Sequence, residues 1–472
     1  MNTTKSMNTV KFPIVVIPKS NPYRIPASLP MVRNLYNWLM ESEVKTHTTV
    51  ALATLFTTVS AITSRKYYSE TDCSSSLYMV VVGKTGIGKN MLITAPTRIL
   101  QLLDLESKII ASKVSSEGAI DTIFASQNAF TQVVDEFGDQ LGNMLMNKGG
   151  LSSVKSKMKA MYGLTNSVYE PIRYSSSGGR FKVSQDWKVY RPCYGITGAT
   201  TREQLLTNLN DSMLHDGFLN RFIILDGCDI KPEFPLVKSG EMPTILEDHI
   251  KSITVDDLDM FEPDKHKHVF VYDEVEKKFF KQERGTDFSR MLTREAKLEL
   301  ARTESELKIT IPFSAKAKEY IEFVGDSDKY GTDIYNFCKD DSDDIKRAIS
   351  ARWAENTIRL SLALSAFEKH DEIELMTIVW VYNLIKNASI NFLHTYETEA
   401  NTTKIETQKT KAIRWFSGKG KDQEFTLSEL ARNSRPFSSV SSKERNALLN
   451  ELLDSGFIKK EIRDNSQYYS MV

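Results

Sequence analysis

The chain has 472 residues, with 61 Lys+Arg balancing 61 Asp+Glu, so its bulk charge favours neither a polyanion nor a membrane surface. Hydrophobic residues make up 41% and charged residues 26%, which excludes a disordered or fibrous chain and suits about three domains of roughly 150 residues. Cys73, Cys193, Cys228 and Cys338 lie far apart with no C-x-x-C pair, which argues for a reducing cytosol and against a zinc knuckle. No apolar run reaches the ~20 residues of a membrane span, and no signal-peptide pattern opens the chain. A cytoplasmic protein without membrane contact is expected.

In chain order, residues 1–30 are broken by Pro13, Pro18, Pro22, Pro26 and Pro30 and read as an extended lead-in. A helical pattern follows from Met31 to about Ser64. Leu77–Val82, Ala129–Val134, Cys193–Ala199 and Phe222–Leu225 are short, mostly apolar runs of strand length alternating with helical stretches, which predicts a mostly parallel α/β sheet. Residues 230–270 are Pro-rich and acidic and read as a connector. His266 and His268 alternate along a predicted strand and read as solvent-exposed rather than metal-ligating. From about Asp273 to Tyr396 long amphipathic helices are expected, over Leu300–Leu307, Ala315–Val324, Ile345–Phe367 and Thr377–Tyr396. Residues 397–409 lose the apolar stripe and read as a boundary. The predicted organisation is therefore an extended and helical segment (1–65), an α/β core (66–240), a helical lid (241–400) and a small C-terminal domain (401–472).

The first strand runs into Gly83, Lys84, Thr85, Gly86, Ile87, Gly88, Lys89 and Asn90, which fits the P-loop pattern G-x-x-x-x-G-K except at its last position. The glycines let successive backbone N–H groups turn toward phosphate oxygens, and the helix that follows offers its positive end to the same anion. Lys89 adds a point charge for the β/γ-phosphates, so ATP is the expected ligand. Asn90 stands where a Ser or Thr hydroxyl usually holds Mg²⁺. Its amide oxygen is also a hard ligand, so binding should survive and the hydrolytic rate is the part at stake. About 45 residues on, Asp135 and Glu136 end the second apolar run. Asp135 suits the Mg²⁺ shell, and Glu136 suits a general base for the attacking water. The third strand ends in hydroxyls. Thr200 is the candidate for placing water against the γ-phosphate, with Thr197 and Thr201 beside it; capping of the helix 202–207 is the alternative.

Residues 169–183 have two β-prone arms around Ser-Ser-Ser-Gly-Gly and read as a hairpin. Arg173, Arg180 and Lys182 lie near its tip with Tyr174 and Phe181 between them. Such a tip can grip single-stranded DNA by phosphate contact and stacking, or it can be a solvated surface hairpin. The last block reads as a winged helix: a short helix over Phe425–Asn433, a longer one over Lys443–Leu452 capped by Ser441/Ser442, and a wing over Gly456–Ile462 and Gln467–Met471. Lys443, Arg445 and Asn446 are its candidate DNA contacts, and protein docking is the alternative.

Two arginine segments carry a resemblance. Gly217-Phe-Leu-Asn-Arg-Phe222 resembles the L-L-S-R-F segment of the MCM group of AAA+ helicases, which implies that Arg221 is a finger for the neighbouring subunit's nucleotide. Arg352-Trp-Ala-Glu-Asn-Thr-Ile-Arg-Leu-Ser361 resembles that family's R-x-x-E-x-x-x-R-L-S helix, which implies that Arg352 senses nucleotide. Spacing alone puts Arg352, Glu355 and Arg359 on one helical face, where they can pair with each other. AAA+ helicases of this kind carry a gripping hairpin at the place of 169–183. The span from about 45 to 400 also resembles phage and plasmid proteins linked to replication helicase or primase modules, through Thr48–Thr63, Ser115-Ser-Glu-Gly118, Asp135-Glu-Phe-Gly138 and Gly217–Phe222. The resemblance implies an ATP- and Mg²⁺-dependent, ring-forming DNA helicase, with a hexamer as the expected ring. It would work with replication partner proteins in a host bacterial cytoplasm. A non-helicase loader and an ATP-gated replication initiator with weak hydrolysis are the alternatives.

Overall fold

A computed structural model of the chain describes residues 24–42, 47–103, 105, 108–111, 114, 116–124, 127–145, 151–170, 189–209, 216–227, 241–259, 268–273, 278–283, 308–325, 332–338, 344–420, 423–438, 440–463 and 466–472. It divides into two compact units, Met1–Phe392 and Leu393–Val472.

The first unit is built on a five-stranded sheet of β1 (Tyr78–Val82), β2 (Ile109–Ile110), β3 (Ala129–Val134), β4 (Cys193–Thr200) and β5 (Phe222–Asp226). The order is β2-β3-β4-β1-β5 and every pairing is parallel. β1, β3 and β4 are buried at every residue, which is why their sequences read as continuous apolar runs rather than alternating ones. Adjacent residues of β4 face opposite sides of the sheet. Thr197 faces the helix Thr48–Thr63, where its Oγ1 lies 2.8 Å from that of Thr57. Gly198 faces the helix Phe137–Leu145. A Cβ on Gly198 would stand 2.6 Å from Cβ of Phe137, so the absence of a side chain sets how closely that helix approaches. Gly198→Ala is expected to destabilise the fold by about 1–3 kcal/mol through overpacking, read as a lowered midpoint in denaturant at unchanged slope.

Several expectations are corrected. The stretch 230–270 contains the helix Thr244–Asp259, because Leu246, Ile250 and Ile253 recur at helical spacing and are buried. His268 lies on a strand as expected, His268–Asp273, but its antiparallel partner Lys278–Glu283 falls in the region expected to be helical. That region also holds the strand Ile309–Ile311, which pairs in parallel with Tyr67–Ser69. The helix expected over 345–367 is two, Asp344–Ser350 and Trp353–Phe367, parted at Arg352 with φ −116° and ψ 7°. The predicted boundary 397–409 lies inside the 45-residue helix Leu375–Lys419. That helix has no proline to stop it, and polar residues of fair helix propensity carry it through without an apolar stripe. His266 and Leu300–Leu307 lie outside the described residues.

In the second unit the strands Phe425–Thr426, Ser466–Met471 and Ile458–Arg463 form an antiparallel sheet in that order. Leu427–Asn433, Arg435–Ser438 and Ser442–Asp454 are its short helices. Thr426 with Glu429, and Ser441 with Glu444, form capping boxes that start two of them. Phe416, Leu430, Phe437, Leu449, Leu452 and Tyr469 fill the core.

Candidate active site

All five strands point their carboxyl ends to one edge, the edge at which open parallel sheets hold ligands. The register aligns Thr200, Val82 and Asp226 across β4, β1 and β5, and Gly83–Asn90 leaves β1 at this line. The N–H of Gly83 donates to the carbonyl of Thr200 at 3.0 Å, which fixes the root of the loop. Gly86 and Gly88 have φ of 80° and 83°, a left-handed backbone that side chains resist. Lys84, Thr85 and Gly86 are exposed, whereas Ile87 is buried and pins the loop from beneath. The N–H groups of Lys84 to Gly88 donate to no backbone carbonyl among the described residues, which leaves them available to an anion. The helix Met91–Gln101 starts there, with Asn90 as its exposed N-cap making no side-chain cap bond. Its amide is thus not committed to the helix.

Asp135 and Glu136 emerge from β3 at the same edge, one strand beyond β4, and both are exposed. Glu136 has φ +56°, a conformation that costs a non-glycine residue free energy and recurs at functional sites. The Asp135 carboxylate accepts the Glu136 N–H at 3.0 Å, which holds the turn and aims two acids from adjacent residues. Among the described residues no three His, Cys, Asp or Glu side chains cluster to hold a metal. Mg²⁺ bound through one carboxylate and substrate phosphates needs no such cluster, so Asp135 with the Asn90 amide oxygen fits it.

The hydroxyl-rich tip of β4 divides its roles. Thr201 caps the helix Arg202–Asn208 by accepting the Gln204 N–H at 3.3 Å. Thr197 is committed to Thr57 inside the core and is not at the edge. Thr200 is at the edge but buried, and a Cβ on Gly138 would stand 2.6 Å from its Oγ1. The pair Arg202–Asp226, 2.8 Å apart, was not anticipated; neither residue forms a motif, and only the strand order brings them together.

Arg221 and Arg352 occupy the opposite edge. Arg221 precedes Phe222, which pairs with Tyr78 at the start of β1. The length of β5 therefore separates it from Gly83–Asn90 of the same chain by roughly 16 Å. Its Nη1 donates to the Gly217 carbonyl, its Nε is buried without a hydrogen-bond partner, and its guanidinium lies 5.7 Å from the Tyr162 ring centre. Burial, then repulsion by Arg352, lowers its pKa, so the site tolerates its charge at a cost. Arg352 pairs with Glu355, which also binds Arg359 at 2.9 Å. Arg359 is buried and donates to the Tyr162 carbonyl at 2.7 Å and toward that of Ser74 at 3.4 Å. Burial disfavours its charge, but Tyr162 and Glu355 leave its pKa raised. The three residues thus do pair with one another, and Arg352 is not placed beside Gly83–Asn90 of the same chain.

Val168–Tyr169 pairs antiparallel with Val189–Tyr190 at the base of the segment between them, while the arms of the hairpin expected over 169–183 lie almost wholly outside the described residues. Buried Lys157 and Asp121, 2.9 Å apart, anchor that base through the Tyr169 hydroxyl. Arg173, Arg180 and Lys182 lie outside the described residues. In the second unit Arg445 donates to the carbonyls of Phe437 at 2.9 Å and Val440 at 3.2 Å. Its guanidinium is thereby committed to closing the preceding turn. Of Lys443, only the backbone within the helix is described.

Compared with known proteins, the chain matches no family model and no curated protein. Among the described residues no helix is long and apolar enough to cross a membrane.

Proposed function

We propose that the chain is an ATP-hydrolysing, ring-forming AAA+-like motor that moves on DNA and separates its strands. The observation that carries this reading is the split of charge between two edges of one sheet. A donor-lined P-loop and two exposed acids lie at the carboxyl edge, and Arg221 and Arg352 lie at the other. Neither arginine can serve its own P-loop, so both become useful where a second copy stacks head to tail, and such contacts close into rings; the resemblance makes six the expected number. Gly83–Asn90 would bind ATP, with Lys89 on the β/γ-phosphates. Glu136 would take the proton of the attacking water. Asp135 and Asn90 would hold Mg²⁺, which would supply charge neutralisation at the phosphates. Thr200 fixes the P-loop root through its carbonyl, so its part is positioning.

DNA contact is assigned to the hairpin carrying Arg173, Arg180 and Lys182. The second unit, read as a winged helix, has Lys443 and Asn446 on its longer helix and exposed Lys459 and Lys460 on its wing. The setting in replication of a phage or mobile element, inside a bacterial cytoplasm with partner proteins, rests on the resemblance alone. Asn90 favours a second reading, an ATP-gated initiator in which nucleotide fixes the assembly and hydrolysis is weak.

Turnover measured against protein concentration separates the two. A trans-completed site requires ATP turnover per chain to rise as copies associate. Tight ATP binding with negligible turnover at every concentration would favour the initiator.

A further inference from the structure

The P-loop root lies between two strands that are themselves tied together above it. β4 and β5 flank β1, so their backbones are about 10 Å apart. Arg202, two residues beyond the Thr200 line, reaches across β1 to Asp226 on the far strand. Its Nε and Nη2 donate to the same carboxylate oxygen at 3.1 and 2.8 Å, with the side chains 22% and 14% exposed. Beneath this bridge the Gly83 N–H donates to the Thr200 carbonyl and the Gly227 N–H to that of Val82, at 3.0 and 2.9 Å. The ion pair and the two backbone bonds enclose the Val82–Gly83 junction, from which the loop departs.

The position of Asp226 gives the pair a second consequence. The register puts it level with Val82, so β5 brings a carboxylate to the edge where the proposed ligand carries several negative charges. At such spacing, in a partly desolvated edge, like charges repel and weaken anion binding. Arg202 cancels that charge without being part of the P-loop motif.

We propose that Arg202 is a positioning residue that sets nucleotide affinity chiefly by neutralising Asp226 beside the phosphates. The proposal rests on the nucleotide reading above. It ranks the variants in an order that a purely architectural ion pair does not produce. Arg202→Ala removes the guanidinium while keeping the Asp226 carboxylate near the phosphates, and is the most harmful. Asp226→Asn removes the repulsion together with the pair and is milder. The double variant relieves much of the defect of Arg202→Ala, as coupled neighbours do.

The test is titration of MgATP into the full chain and the three variants, with thermal unfolding as a check that each is folded. Arg202→Ala is expected to raise Kd about tenfold, equivalent to ~1.4 kcal/mol. Asp226→Asn and the double variant should stay within about threefold of wild type, and turnover at saturating ATP should change little in all three. A wild-type chain that binds while Arg202→Ala binds equally well, or while the double variant is as weak as Arg202→Ala, overturns the proposal and leaves the nucleotide reading intact. Should Arg202→Ala not fold, Asp226→Asn decides: a tenfold loss there would refute charge compensation. A wild-type chain with no affinity for MgATP would instead remove the nucleotide reading itself.

Discussion

Arg221→Ala is expected to leave MgATP affinity near the wild-type value while lowering turnover by about 10³–10⁵, the range of trans arginine fingers. Geometry separates the two quantities. The donors that would bind phosphate belong to Gly83–Gly88 of one copy, whereas Arg221 is a full strand length away and folded back onto the Gly217 carbonyl. Its partly buried guanidinium is disfavoured by desolvation and by Arg352, and a neighbouring copy's γ-phosphate would relieve that cost. Mixing Arg221→Ala with Lys89→Ala makes the measurement specific. Some junctions then pair an intact P-loop with an intact Arg221, so turnover should reappear on mixing two inactive proteins. Absence of recovery, with mixed assemblies demonstrated by tagged pull-down, would remove the trans role.

Lys89→Ala should act on the other term. A lysine on the β/γ-phosphates would make charge-assisted contacts with them. Truncating such a partner costs about 2–5 kcal/mol, roughly 30- to 4,000-fold in Kd. The loop itself should keep its shape, because Ile87 in the core and the Gly83–Thr200 bond hold it. The contrast between a variant that loses binding and one that loses only turnover is the signature of a site divided between copies.

The sheet was legible because its strands are buried on both faces. Ala129–Val134 is found where its apolar run lies, and β1, β4 and β5 differ from expectation by one terminal residue each. The two-residue β2 was not legible, since two isoleucines are too short to carry a period. The candidate site's residues, Gly83–Asn90 and Asp135–Glu136, were legible as local motifs, and the structure places both at the carboxyl edge of the sheet. What sequence could not give was order: that β4 lies between β1 and β3, that Thr200 acts through its carbonyl, and that Arg202 meets Asp226. Those facts come from strand pairing between distant segments. The bonds from Arg445 to the carbonyls of Phe437 and Val440 were not legible either, because they depend on how the preceding turn folds back on the helix. The helix through 397–409 misled for a different reason. Polar residues without an apolar period can still continue a helical backbone, so the lost stripe was not a break.

Titration of MgATP into the purified chain, followed by calorimetry, is the most direct measurement. Saturable binding in the range of about 1 μM–1 mM, abolished by Lys89→Ala, is the expected result. A wild-type chain that takes up no heat and no nucleotide at millimolar MgATP would contradict the P-loop assignment, and with it every role given to the two edges of the sheet.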